Sequence, residues 1–207
     1  MPGLTDAPVT FFLLLVNVLV SGYALLVDTS LVERLSFQPH AILKRKEHWR
    51  LITAGFVHVG MGHLAFNMIT LYFFGPLLEV LLGSLDFTVL YFGSELAAHG
   101  LSLIIHHDNE SYAAVGASGA VSGVLFGYCL FFPFEKIYFF GVIPMWSIVF
   151  AVGYVALSIY AINRRMEGGA VGGIAHEAHL GGALGGLLLT IILEPRAVQV
   201  FLNNFGL

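Results

Sequence analysis

Charged residues are scarce in this 207-residue chain. Asp, Glu, Lys and Arg make up 11% of it, whereas soluble domains carry roughly 25%. Hydrophobic residues reach 57%, and the mean hydropathy is +0.85. This composition is typical of integral membrane proteins, and the length fits a single domain over residues 1–207.

Three further shortages exclude other classes. Cys129 is the only cysteine, so the chain cannot form an internal disulfide. The net charge is −4, which offers no basic surface to nucleic acid. The first eight residues hold no Lys or Arg, although a signal peptide begins with a basic region. We therefore expect an uncleaved first span rather than a signal peptide.

Six apolar stretches approach the length of about 20 residues that a membrane-spanning helix needs. The predicted spans are 9–27, 62–82, 87–105, 118–132, 139–162 and 174–193. They predict an all-α bundle of six transmembrane helices. The long connection 29–60 is rich in aromatic and apolar residues, so we expect this first loop to be embedded in the membrane or its interface.

Basic residues do not decide the orientation of the bundle. Outside the first loop, Lys136 and Arg196 lie on the side of the termini, and Arg164 and Arg165 lie on the opposite side. The rule that cytoplasmic loops are enriched in Lys and Arg therefore gives no clear answer.

Polar residues inside apolar helices are costly in lipid and mark candidate functional positions. His63 and Asn67 lie one turn apart near the start of the second span. Ser118 opens the fourth span, and His179 lies near the start of the sixth. The second, fourth and sixth spans cross in the same direction. We therefore expect these four side chains at a similar depth below one membrane surface.

Glycines suggest how two of these helices meet. Along the fourth and sixth spans they recur at fourth positions: Gly119, Gly123, Gly127, and Gly181, Gly182, Gly185, Gly186. Stripes of small residues let helix backbones approach closely. We expect such packing to bring Ser118 and His179 together. The simpler alternative is that the glycines only pack and His179 is a hydrogen-bonded core residue.

Several motifs resemble those of the rhomboid intramembrane serine proteases, in the same order along nearly the whole chain. They are the G-x-S-G motif Gly116-Ala117-Ser118-Gly119, the H-x-x-x-N motif His63 to Asn67, the A-H-x-x-G-x-x-x-G motif Ala178 to Gly186 with Gly182 inside it, the pair Trp49-Arg50, and the G-x-x-x-E motif Gly75 to Glu79. Each motif is modest alone, whereas the ordered set is specific.

The resemblance implies roles for particular residues. Ser118 would be the nucleophile and His179 its general base, without a carboxylate partner and without a cofactor or metal. The Ser118 backbone N–H, His63 and Asn67 would hold the oxyanion. Many rhomboids place a tyrosine four residues after the serine, stacked on the base, but Ser122 stands there in this chain. We therefore expect another group to orient His179.

The resemblance also implies partners and a location. The substrates would be transmembrane-helix proteins in the lipid bilayer, cut in or near the span. The six-span form would lie in a bacterial cytoplasmic membrane, with its active site opening to the non-cytoplasmic side. Phe66, Trp146 and Phe150 are candidates for a lateral gate, although Trp146 is equally explained as an interface anchor. The sequence does not fix the oligomeric state.

Two alternatives stay open. The first is a histidine-ligated metal enzyme, since the chain has nine histidines. However, the spacing from His176 to His179 is one residue short of the H-E-x-x-H zinc motif, and His58 and His63 are five residues apart. The second alternative is an inactive rhomboid-like protein that only binds membrane partners.

Overall fold

The computed structural model describes residues 2–139, 142–166 and 175–207. The described chain is mostly helical. Its α-helices are α1 (Pro8–Leu26), α2 (Ser30–Leu35), α3 (Pro39–Lys44), α4 (Arg50–Thr53), α5 (Met61–Leu82), α6 (Ser84–His106), α7 (Ser118–Phe131), α8 (Ser147–Met166), α9 (His176–Leu193) and α10 (Arg196–Asn204). An antiparallel hairpin of β1 (Lys136–Phe139) and β2 (Ile143–Trp146) precedes α8.

The apolar helices form the predicted all-α membrane bundle. Within the described ranges, α1, α5, α6, α8 and α9 are long and apolar enough to cross a membrane, and α7 is apolar but shorter. With 14 residues, α7 is about 21 Å long, less than the roughly 30 Å hydrocarbon core. Every residue from Gly119 to Phe131 is buried. The helix α7 is therefore central, and at least one of its ends lies below the membrane surface.

The predicted start of the fifth span at residue 139 is wrong. Phe139 belongs to β1, and α8 begins only at Ser147. Pro144 lies in β2, opposite Tyr138. A proline disfavours the helical conformation in the residue before it and lacks the N–H that a helix interior needs. The apolar run before Ser147 therefore pairs as a hairpin instead of extending the helix.

The sixth predicted span, 174–193, corresponds to α9. Its predicted start at residue 174 and the glycine-rich connection 167–173 lie outside the described residues. Beyond its end lies α10, which was not predicted. This helix buries Ala197, and Phe205 just after it packs on Phe134, with 4.9 Å between the ring centroids.

Arg50 connects the parts of the first loop. Its guanidinium donates to the carbonyl oxygens of Ser36 at 2.8 Å and Glu33 at 3.3 Å. Its Nε atom bonds to the Glu47 carboxylate at 2.6 Å, and its charge lies 4.6 Å from the ring centroid of Trp49. Arg50 is only 7% exposed. Arg50 therefore holds the parts of the first loop together through hydrogen bonds to two backbone carbonyls and one carboxylate.

Glu79 on α5 caps the start of α1. Its carboxylate accepts hydrogen bonds from the N–H groups of Val9 at 3.0 Å and Thr10 at 2.7 Å. It also accepts from the hydroxyl groups of Thr10 at 2.8 Å and Ser84 at 2.7 Å. The first N–H groups of a helix have no partner within the helix, and in a bilayer water cannot supply one. The buried carboxylate thus holds α1 against α5.

Glycines set the distance between α7 and α9. The Gly182 backbone lies against the backbone of Gly119, and Gly186 lies one turn further along against Gly123. A Cβ atom at Gly182 or Gly186 would overlap these backbone atoms, which cannot move aside as a side chain can. The two helices therefore approach at backbone contact, as small-residue stripes permit. Helix α6 packs against both.

This packing predicts that Gly182→Ala destabilises the protein by about 1–3 kcal/mol, because the added methyl overpacks the α7–α9 contact. The thermal unfolding midpoint in detergent measures the effect. The control is Gly100→Ala on α6, where an added Cβ meets nothing within 4 Å. Alanine is the better helix former by about 1 kcal/mol, so the control should not lose stability. Equal behaviour of the two variants would contradict the packing.

Candidate active site

Ser118 and His179 lie side by side at the starts of two helices. Ser118 is the first residue of α7, and His179 is in the first turn of α9. The His179 Nε2 atom lies 2.7 Å from Ser118 Oγ, a hydrogen-bonding distance. The contact follows from the register of the glycines, because Gly182 meets Gly119 one turn or less from each side chain. An imidazole in this position can accept the hydroxyl proton.

Of the backbone N–H groups around Ser118, some donate hydrogen bonds within the protein and others do not. The Ala117 N–H donates to His58 Nε2 at 3.3 Å, and the Ala120 N–H donates to Glu95 Oε2 at 3.0 Å. Between them, the N–H groups of Ser118 and Gly119 have no acceptor among the described residues. Two donors at a helix N-terminus therefore remain beside the serine hydroxyl, where they can stabilise developing negative charge.

His58 has a defined tautomer. Its Nε2 atom accepts from Ala117, so the ring proton is on Nδ1, which donates to Ser21 Oγ at 2.7 Å. Ser21 in turn donates to the carbonyl oxygen of Phe56 at 2.9 Å. Burial, followed by the nearby His63, lowers the pKa of His58 to about 3. His58 is therefore neutral at physiological pH and acts as an acceptor that holds the loop before α7.

His63 and Asn67 lie on α5, as expected, but they are placed differently. The His63 ring packs on Gly116. This position requires glycine, because its φ is +118° and a Cβ atom would lie 2.5 Å from His63 Cε1. Its Nδ1 atom is buried and has no hydrogen-bond partner in the described part of the chain. Asn67 is buried, and its amide donates to the carbonyl oxygen of His63 at 3.1 Å. His63 thus adjoins the serine loop with an unused ring nitrogen.

An aromatic ring supports His179 from an unexpected helix. The Tyr154 ring of α8 lies 6.3 Å from the His179 ring, centroid to centroid, at an interplanar angle of 21°. The hydroxyl groups of Tyr154 and Ser122 are 2.7 Å apart. Tyr154 was not among the predicted site residues, because no spacing along the chain connects it to α9. The His176 ring also meets the His179 ring edge to face, with 6.4 Å between the centroids.

Glu177 connects the start of α9 to neighbouring elements. Its carboxylate accepts from Tyr112 Oη at 2.5 Å and lies 3.0 Å from His106 Nε2. The rings of His106 and Tyr112 stack with 3.8 Å between their centroids. The start of α9 is thereby tied to the end of α6 and to the loop that follows it.

Glu95 and His99, a turn apart on α6, were also not among the predicted site residues. Both are buried, with Glu95 Oε1 3.5 Å from His99 Nε2, and the His99 Nδ1 atom is 2.8 Å from the carbonyl oxygen of Leu51. A cavity of about 20 Å³, enough for one water, is lined by both side chains and by Ser118. Two ionisable residues inside a predicted span, one turn apart, were the sequence signal that could have identified this pair.

The described residues contain no group of three or more His, Cys, Asp or Glu side chains that could hold a metal ion. His58 and His63, considered as possible ligands, are 5.0 Å apart at their ring centroids, edge to face. His58 already uses both ring nitrogens in hydrogen bonds within the chain. The described residues therefore offer no set of ligands for the metal enzyme considered above.

Most of the chain is similar to a known protein family. The family profile described as Rhomboid domain matches residues 45–196. RHOMBOID-like protein 4 of Arabidopsis thaliana is 34% identical over 163 residues, which is 79% of this chain and 38% of the relative. The putative rhomboid protease YdcA of Bacillus subtilis is 32% identical over 150 residues, which is 72% of this chain and 69% of the relative.

A third relative is the rhomboid protease GluP of Bacillus subtilis. It is 28% identical over 171 residues, which is 82% of this chain but 31% of GluP. The chain thus spans about a third of GluP, about two fifths of the Arabidopsis protein and about two thirds of YdcA. The residues that the family profile matches include α7 and α9, which hold Ser118 and His179.

The low pKa of His58 predicts how acid affects stability. Between pH 6.5 and about 3 the unfolded chain binds a proton at His58 that the folded chain does not, so this residue makes stability fall as the pH falls. Above pH 6.5 it has no such effect. In His58→Gln this contribution, at most about 1.4 kcal/mol per pH unit, should disappear.

The measurement is the unfolding midpoint in detergent between pH 7 and pH 4. His48→Gln, at an exposed position of the first loop, is the control and should follow the wild type. If His58→Gln loses stability on acidification as steeply as the wild type, His58 is not held neutral by the fold.

Proposed function

This chain belongs to the rhomboid family, and on that premise we propose that it is an intramembrane serine protease that hydrolyses peptide bonds in or near the spans of membrane proteins. The observation that carries the proposal is the 2.7 Å contact between Ser118 Oγ and His179 Nε2 at the start of the central helix. We further propose that residues 1–207 form a single domain.

In the proposed reaction, Ser118 Oγ attacks the carbonyl carbon of the scissile peptide bond, and His179 Nε2 takes the hydroxyl proton. His179 then gives this proton to the leaving nitrogen as the C–N bond breaks, which leaves an acyl-enzyme on Ser118. Water, activated by His179 in the same way, hydrolyses the ester and releases the second product. The short α7 supports this chemistry, because its serine end can lie below the surface at the depth of a substrate span.

The proposed oxyanion hole combines three sources of donors. The Ser118 N–H at the start of α7 has no acceptor among the described residues. His63 offers a buried ring nitrogen beside Gly116, and the Asn67 amide, now donating to the carbonyl of His63, has a second hydrogen. Preorganised donors of this kind act at the moment when the carbonyl oxygen becomes negative.

A pair without a third, charged member suits this environment. An unpaired carboxylate is costly to bury, and the buried carboxylates near the site have other partners. Glu177 is engaged with Tyr112 and His106, while Glu95 accepts the N–H of Ala120. We propose that both carboxylates hold the helices that carry the dyad and take no part in the proton transfer.

The substrate and the orientation are proposals from the family. We propose that the substrate is a transmembrane-helix protein that enters laterally near α8, which has the smallest buried share of the described spans. Phe66 on α5 and Trp146 just before α8 are exposed and could line this entry. We place the site on the non-cytoplasmic side of a bacterial cytoplasmic membrane.

The rival function is an inactive rhomboid-like binding protein. Several relatives carry the name rhomboid-like rather than protease. Against this rival, the chain keeps both Ser118 and His179, and the two side chains are hydrogen-bonded. A protein that only binds partners has no need to keep the pair in contact.

We predict that Ser118→Ala and His179→Ala abolish cleavage of a single-span reporter substrate by the protein purified in detergent, because one removes the nucleophile and the other its base. A fluorescent phosphonate that reacts with activated serines should label the wild type. Labelling should vanish in Ser118→Ala and weaken at least tenfold in His179→Ala.

Ser111→Ala, in an exposed loop, is the matched control and should cleave and label as the wild type does. Repeating the assay with a strong chelator tests the metal alternative. A metal enzyme would stop cleaving, whereas the proposed serine protease should keep its activity. A folded wild type that neither cleaves nor labels would favour the binding protein.

We also predict that Asn67→Ala slows cleavage by about 10²–10³-fold without abolishing it, since one oxyanion donor is lost while the nucleophile and base remain. The loss should appear in kcat. Asn203→Ala, at an exposed position of α10, provides the control. Unfolding midpoints must accompany the assay, because Asn67 is buried. A stable Asn67→Ala variant with the wild-type rate would remove Asn67 from the oxyanion hole.

A further inference from the structure

The face of α7 that adjoins His179 carries no aromatic side chain one turn after Ser118. That position is Ser122, which is small and buried. Its hydroxyl reaches across to α8, where it meets Tyr154 Oη at 2.7 Å. The space beside the imidazole is thus occupied by the Tyr154 ring.

Stacking restrains what the hydrogen bond to Ser118 leaves free. A hydrogen bond between Nε2 and Oγ fixes one atom of the imidazole, but the ring can still turn about the axis through that atom. The Tyr154 ring lies nearly parallel to His179, at 21° and 6.3 Å between centroids, which is within the range of offset-stacked pairs. It therefore limits rotation of the base out of line with the serine.

Tyr154 is itself held at several points. Its hydroxyl is bonded to Ser122, and its ring packs against Phe126 on α7 at 5.5 Å and Phe150 on α8 at 5.6 Å between centroids. Removing the Ser122 hydroxyl would leave the ring in place but free to shift. Supporting contacts of this kind decide whether a side chain keeps its productive geometry.

We propose that Tyr154 is the positioning residue for His179 and that Ser122 fixes Tyr154, so the base is aligned only while α8 is docked on α7. This inference rests on the proposed protease function. It gives α8 a part in the chemistry although the dyad lies on α7 and α9. A shift of α8 away from α7 would break the Ser122–Tyr154 bond and remove the stacked ring from the base.

The test compares three variants by cleavage of the reporter substrate and by the rate of phosphonate labelling. Tyr154→Leu should lower kcat and the labelling rate about tenfold, with KM changed less than twofold, because the base loses its stacking partner. Tyr154→Phe and Ser122→Ala keep the ring and lose only its anchor, so each should lose about two- to threefold. Combined, they should lose no more than either alone, since both remove the same bond.

Tyr160→Leu is the matched control, because Tyr160 lies on the same helix and is 62% exposed. It should behave as the wild type does. The phosphonate is small and needs no substrate span, so its labelling rate reports on the dyad and not on substrate entry. A structural role alone would lower the unfolding midpoint without changing kcat or the labelling rate of the folded protein.

Failure of this inference is distinct from failure of the proposed function. A wild type that neither cleaves nor labels would overturn the function. The positioning role is wrong if the wild type is active and Tyr154→Leu has the same kcat and labelling rate as Tyr160→Leu. It is equally wrong if Tyr154→Leu changes KM alone. Should Tyr154→Leu fail to fold, Ser122→Ala decides: a folded variant with the wild-type kcat and labelling rate would overturn the inference.

Discussion

The backbone contact between α7 and α9 is the constraint on which the site depends. Because Gly182 lies on Gly119 and Gly186 on Gly123, the two helices are as close as backbone atoms allow. A serine Oγ and a histidine Nε2 reach only a short way from their helix axes. At an ordinary interaxial distance of 8–10 Å, set by larger side chains, these two atoms would be harder to bring within hydrogen-bonding distance. The glycines thus set the geometry that brings Ser118 and His179 into contact.

Close packing alone does not fix the starts of the helices, and buried acids and histidines perform that task. Glu79 caps α1 from α5, Glu95 binds the first turn of α7 from α6, and Glu177 ties α9 to the loop beyond α6. Each carboxylate meets N–H or O–H donors on another element, as a polar group in an apolar bundle must. These cross-connections set the axial position of each helix, which in turn sets the distance between Ser118 and His179.

Much of this arrangement could be predicted from the sequence. The spans follow from apolar length, and the contact of Ser118 with His179 follows from glycine spacing and the common direction of two helices. The hairpin before α8 could not be predicted from hydropathy, since residues 139–146 are nearly as apolar as a span and only Gly141 and Pro144 signal a break. The role of Tyr154 was also hidden, because a contact between α8 and α9 depends on how helices rotate about their axes. Periodicity within one helix does not report that rotation against a neighbour.

The origin of the ring that supports His179 has a physical consequence for the bundle. A tyrosine at position 122 would belong to the central helix and would stay beside the base whatever the peripheral helices do. The ring instead belongs to α8, of which only 17% of the spanning window is buried, against 44% for α9. Few buried contacts oppose a displacement of α8, so His179 is supported from the least buried of the described spans. In the proposed protease, the alignment of the base would therefore depend on the docking of α8, and a substrate that displaces α8 would slow the proton transfer until α8 returns.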